Sequence, residues 1–165
     1  MKSTTNAKPK SFPYSKILVA CSVNTARSPM TEGFLKDFFA RNNMKGEVYS
    51  GGISSNARDG MLISLDAKFV MKEFFIDLPE DSVSIDLKKR LELIQWADLI
   101  LTLTDKHKQE IIKFIDSDNK EICTLREFAG ENGDIEDPSM KGLEGFRKAR
   151  DEIKRCLDKG LRKYS

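Results

Sequence analysis

A cysteine, an arginine and a serine fall in one short run, Cys21-Ser22-Val23-Asn24-Thr25-Ala26-Arg27-Ser28-Pro29, that suits attack on phosphorus. The run follows the apolar stretch Ile17-Leu18-Val19-Ala20 and precedes an amphipathic segment. A cysteine therefore leaves a buried strand, five residues make a loop, and an arginine and a serine open a helix. In such a loop the backbone N–H groups of Ser22, Val23, Asn24, Thr25 and Ala26 converge on a phosphate dianion, and the helix dipole adds positive potential there. The guanidinium of Arg27 spans two phosphoryl oxygens, which a lysine cannot do. The same field favours a thiolate at Cys21, the form that attacks phosphorus. Ser28 is placed to donate its hydroxyl to that thiolate, and Asn24 tolerates the left-handed geometry an inward-turned loop needs. Spacing alone is unspecific, and the strand-loop-helix setting gives it meaning. Ser28 is expected to cap the helix, with Pro29 at its first position.

A thiolate that takes a phosphoryl group leaves behind an alkoxide, phenoxide or amine in need of a proton. A nearby carboxylic acid supplies it and later takes one back from water. Asp134-Ile135-Glu136-Asp137-Pro138 is the acidic loop that offers such a group. Pro138 biases Asp137 towards an extended backbone, which aims its side chain outward. Asp134 competes for the role, whereas Glu136 lacks the following proline. The lone histidine, His107, has no partner at metal-ligand spacing and is expected at the surface or in a helix cap. Cys21, Cys123 and Cys156 form neither a disulfide framework nor a C-x2-C metal site. No metal or cofactor is expected, and without a Walker loop or a G-x-G-x-x-G after a strand nucleotide binding lacks support.

These residues need a scaffold, and from Lys16 onward strands and helices alternate. Strands are expected at Lys16–Ala20, Glu47–Ser50 (ended by Gly51-Gly52), Leu99–Thr104 and Ile122–Leu125. Met30, Phe34 and Phe38, with Leu35 and Phe39, mark a helix with an apolar stripe. Helical spacing returns at Ala67–Phe75, at Leu87–Trp96 with Trp96 in the core, after Thr104, and at Phe146–Leu157 with Gly160 near the end. Lys88-Lys89-Arg90 reads as a solvated face. The alternation predicts a single α/β domain, a three-layer sandwich with a central four-stranded parallel sheet flanked by helices. Ligands of such sheets sit at the carboxyl ends of the strands, where Cys21 falls. Residues 1–15 read as a flexible tail, with Phe12 and Tyr14 docking on a domain of residues 16–165.

With 165 residues, 39% hydrophobic and 33% charged, the chain is long enough to bury a core and reads as globular. A net charge of +2 gives no argument for nucleic acid or an anionic membrane. No apolar run reaches the ~20 residues that span a bilayer. A reducing, cytoplasmic setting fits a working thiol at Cys21.

Cys21 through Pro29, with Met30, Glu32 and Gly33, resembles the phosphate loop of the low-molecular-weight protein-tyrosine phosphatases. The likeness continues in Ser50-Gly51-Gly52, in Trp96 through Thr104, and in Asp137-Pro138. It implies hydrolysis of phosphotyrosine-type protein or peptide substrates through a phosphocysteine, with phosphate, sulfate or vanadate as loop ligands. It also implies Asp137 as the general acid and Ser50 as a brace for Asn24. The chain departs from the family pattern at several points. Val23 stands for a usual glycine, and Ala26 for a second cysteine that many members use to protect the nucleophile as a disulfide. Asn56 and Ser139 stand for the aromatic walls of tyrosine-directed members, with Met140 as a substitute wall. Thr25 matches the protein-arginine phosphatase branch, which makes phosphoarginine the alternative substrate. Arsenate reductase uses a related loop but needs a C-x7-C relay, unlike Cys123 and Cys156. A non-catalytic phosphate binder would lack Cys21, Arg27 or Asp137.

Overall fold

The computed structural model describes residues 12–116 and 120–164. Its centre is the strand β1, Lys16–Cys21, where Ile17, Leu18, Val19 and Ala20 are fully buried. A strand covered on both faces must be apolar on both, which this run supplies. Parallel partners flank it, β2 (Glu47–Gly52) on one side and β3 (Leu99–Thr102) on the other. The strand β4 (Glu121–Thr124) pairs in parallel outside β3, so the sheet runs β2-β1-β3-β4.

Alternate residues of β1 build two cores. Ile17, Val19 and Cys21 join the cluster formed by α1 (Arg27–Arg41), α2 (Leu65–Lys72) and α6 (Gly142–Arg162). Leu18 and Ala20 face Leu87, Leu93, Ile94 and Ile111, from a 3-10 turn at Leu87–Lys89, α3 (Leu91–Trp96) and α4 (Asp105–Ile112). The result is the expected three-layer sandwich. One face is closed by α1, through Met30, Phe34, Leu35 and Phe39, together with α2 and α6, and the other by the Leu87 turn, α3 and α4. Among the described residues no helix is long and apolar enough to cross a membrane.

Several expectations shift in detail. The helix α1 begins at Arg27 with Ala26 as an uncapped N-cap, because the Ser28 hydroxyl is committed elsewhere. The strand β2 runs through both glycines rather than stopping before them. A Cβ on Gly51 would meet Leu87 at 2.5 Å, and one on Gly52 would meet Ser22 O at 2.6 Å. The pair is there for close approach, not for chain termination. The pattern at Ala67–Phe75 breaks after Lys72, and Phe75 turns outward with φ 62°. Arg90, at φ −134°, splits the Leu87–Trp96 stretch in two. Trp96 is half-buried rather than core, edge-on to Tyr49 at 5.2 Å. Lys89 and Arg90 are exposed as expected, but Lys88 turns inward to Asp86 at 2.8 Å. The strand β3 stops at Thr102, and Thr104 caps α4 as its sequence suggests. A short helix, α5 (Leu125–Phe128), starts from a capping box of Thr124 and Glu127. Gly160 lies inside α6, where a Cβ would strike the Phe128 ring at 2.2 Å.

Of the expected tail over residues 1–15, residues 1–11 lie outside the described residues. Phe12 and Tyr14 dock as anticipated. Phe12 packs 5.2 Å from the Tyr164 ring and 6.1 Å from Phe39, and Tyr14 lies 6.5 Å from Tyr164.

Candidate active site

Cys21 ends β1 and its thiol is buried at the carboxyl edge of the sheet. Its Sγ lies 2.9 Å from Ser28 Oγ and accepts the Asn24 backbone N–H at 3.3 Å. The polarity of the surrounding network can be followed from its far end. The Glu32 carboxylate accepts the Ser50 hydroxyl, so Ser50 Oγ is left to accept from Asn24 Nδ2 at 2.9 Å. The second Nδ2 proton goes to Ser28 Oγ at 2.8 Å, and Asn24 Oδ1 accepts the Ile85 N–H at 2.9 Å. With its lone pair engaged, the Ser28 hydroxyl proton points to the sulfur, and a thiolate there is the favoured acceptor. Asn24 reaches all of these groups because it sits at φ 65°, the left-handed region its side chain tolerates. Gly52, with no Cβ, lets the Ser22–Val23 backbone press against β2.

Arg27, in the first turn of α1, is almost wholly buried. Its Nη1 donates to Ile135 O at 2.8 Å, which ties the guanidinium to the acidic loop. Its Nη2 stands 4.0 Å from Asp137 Oδ2. The structure thus brings Asp137 up to Arg27, which opens the helix at the end of the Cys21 loop. Burial alone would push the Asp137 carboxyl up. The N–H and hydroxyl of Ser139, followed by the Arg27 charge, hold it net below the ordinary carboxylate range. Asp134 is engaged elsewhere, its Oδ1 accepting the Asp105 N–H at 2.8 Å, and Glu136 pairs with Lys141 at 2.9 Å. Of the three acids, Asp137 is the one turned to Arg27. Asn56, Ser139 and Met140 are all exposed, Met140 fully so at φ 68°. Thr25 is half-buried and its carbonyl accepts the Ser64 N–H at 2.8 Å.

A family model described as low molecular weight phosphotyrosine protein phosphatase matches residues 16–163. The chain belongs to that family. A protein-arginine-phosphatase of Geobacillus stearothermophilus is 37% identical over 150 residues, covering 90% of this chain and 94% of that protein. A crystal structure of a low molecular weight protein tyrosine phosphatase from T. tengcongensis matches with a TM-score of 0.81 at 33% identity. That match covers 90% of this chain and 99% of the other. The YwlE arginine phosphatase, solved as a cysteine-to-serine mutant with its active-site serine phosphorylated, matches with a TM-score of 0.79 at 30% identity. It covers 89% of this chain and 93% of that one. This low-molecular-weight phosphatase is accordingly a cysteine-dependent enzyme that works through a phosphocysteine.

Sequence reasoning also misplaced His107 of this phosphatase. His107 is neither at the surface nor simply a cap: it is 3% exposed, with Nε2 2.8 Å from Ser22 Oγ. Its backbone is what Thr104 caps, at 3.2 Å, and that fixes the first turn of α4 so that the ring points at the loop. Ile85 and Glu32 were also missed as supports. Glu32 carried a signal, one turn after Ser28 on a helix that opens at the phosphate loop. Ile85 acts through a backbone N–H, which no side-chain pattern announces. The two remaining cysteines are poor candidates for a redox relay. Burial pushes the Cys123 thiol up to about 12 and also raises that of Cys156.

Proposed function

We propose that the enzyme hydrolyses phosphotyrosine-type groups on proteins or peptides in two steps, with Cys21 as nucleophile and Asp137 as the proton carrier. Cys21 Sγ attacks phosphorus while Arg27 and the loop amides hold the other phosphoryl oxygens. The bond to the leaving group breaks, and that group takes the proton of Asp137. Water then attacks the phosphocysteine and gives a proton to the Asp137 carboxylate. The P–S bond breaks and Ser28 receives the returning thiolate. Asp137 is held ionised in the free protein, so the proton arrives with the substrate, whose negative charge offsets Arg27. The single observation that carries this reading is Arg27, at the start of the helix that follows the Cys21 loop, tied to Ile135 O and standing 4.0 Å from Asp137.

The same scheme balances for a P–N bond as for a P–O bond, and Thr25 favours phosphoarginine as the second reading. Its methyl and hydroxyl leave room for a planar guanidinium, while exposed Asn56 and Ser139 supply no ring contacts, each worth about 0.5–1.5 kcal/mol. Phosphate, sulfate and vanadate are the expected loop ligands. Residues 16–165 make up the phosphatase domain in this proposal, acting in a reducing cytoplasm, with no role for nucleic acid or membrane. The test is the ratio of kcat/KM for phosphotyrosine and phosphoarginine peptides in wild type and Thr25→Ile. The variant is expected to move the ratio towards phosphotyrosine by ~10–200-fold. A shift under about twofold removes Thr25 as support for phosphoarginine.

A further inference from the structure

His107 is the single histidine of the chain, and the two-step scheme gives it no task. Its ring is carried inward from the first turn of α4 to Ser22, the residue that follows the nucleophile. Nδ1 is buried and has no hydrogen-bond partner among the described residues. An orphaned buried N–H is rarer than an orphaned lone pair, so the ring proton belongs on Nε2 and is donated to Ser22 Oγ. The charged groups facing the ring are Arg27 from α1, Lys106 from α4, and Asp134 and Asp137 from the acidic loop. Burial first and the Arg27 charge second hold its pKa down to about 4, so it is neutral at pH 7. An anion in the loop would offset the Arg27 charge.

We propose that His107 is a positioning residue of the phosphate loop, fixing Ser22 through Nε2–H and taking up a second proton more readily when an anion fills the cradle. The idea rests on the reading of the Cys21–Arg27 loop as the anion site. A dianion beside Arg27 adds negative potential at the ring and favours the imidazolium, whose extra proton comes from solvent to Nδ1. Coupling of this kind is reciprocal: whatever factor the anion adds to proton affinity, the proton adds to anion affinity.

A single histidine gives one set of imidazole resonances, so its titration can be read directly by NMR. The measurement uses Cys21→Ser between about pH 3.5 and 7.5, with and without sulfate, which stays a dianion across that range. The midpoint is expected near about 4 without sulfate and at least about half a unit higher at saturation. By linkage, sulfate then binds about threefold tighter with the ring protonated. A midpoint unmoved by saturating sulfate overturns the proposal. Failure of sulfate to bind at any pH overturns the loop reading itself, and the proposal with it. Positioning is tested separately with nitrophenyl phosphate. Ser22→Ala and His107→Leu should each lower kcat about tenfold, with no further loss in the double variant. His107→Gln, which keeps a donor at similar reach, should recover kcat to within about threefold of wild type. Wild-type kcat in Ser22→Ala excludes the positioning role.

Discussion

Cys21 and Ser28 show how much of the chemistry is local. The proposed nucleophile, phosphoryl clamp and thiolate donor all lie between Cys21 and Ser28, and one spacing pattern displays them together. Their prediction is equally local. Cys21→Ser should lose turnover by several orders of magnitude while still binding vanadate, because the amides and Arg27 remain. Wild-type activity should survive a chelator. Turnover and vanadate binding measured on the same preparation check both statements. Asp137 was preferred to Asp134 and Glu136 through Pro138 and the family resemblance, and the fold adds contacts with Arg27, distant in sequence, and with Ser139. Asp137→Asn should slow phenyl phosphate by ~10²–10⁴-fold and nitrophenyl phosphate far less, since the latter's leaving group needs little protonation. Asp134→Asn keeps an oxygen for the Asp105 N–H and should leave both rates near wild type. The opposite pattern would move the acid to Asp134.

Elements were legible wherever burial is two-sided or striped. The continuous apolar run of β1 and the four-residue spacing in α1 survive almost unchanged because packing enforces them. Boundaries were not, and the reasons differ. Ser28 has the chemistry of a cap but spends its hydroxyl on sulfur, so function displaced a local preference. The glycines of β2 looked like a stop, yet the strand continues through them because Leu87 and the phosphate loop occupy the space a Cβ would need. Gly52→Ala therefore tests the element rather than the residue. Its methyl would meet the Ser22 carbonyl at 2.6 Å and the Val23 Cα at 2.9 Å, all backbone that cannot swing aside. The loop must move. We expect kcat/KM for nitrophenyl phosphate to fall tenfold or more, roughly the cost of a ~1.4 kcal/mol misalignment. Circular dichroism should remain that of the folded protein.

For the molecule as a whole, the buried neutral ring of His107 makes stability depend on acid. Its pKa is about 4 in the fold, through burial and then Arg27, against an ordinary value near 6.5 in the unfolded chain. Between those limits the unfolded chain binds a proton that the fold refuses. Stability is therefore full above about pH 6.5, falls as the pH drops towards 4, and levels off below. The loss attributable to this one group is about 3 kcal/mol. Denaturant unfolding at pH 7 and pH 4.5 should show wild type losing more than His107→Gln by an amount of that order. Equal losses would mean the ring is accommodated as a cation.

The aromatic contacts among Phe12, Tyr14, Phe39 and Tyr164 set an orientation for the whole particle. They gather at the amino edge of the sheet, before β1 begins, and the thiol stands at the opposite edge where β1 ends. Six residues of strand separate the two, about 20 Å. A bead, a dye or a fused domain attached through residue 12 or residue 164 is thereby held behind the molecule. Whatever tethers this enzyme at those points leaves its catalytic mouth facing outward.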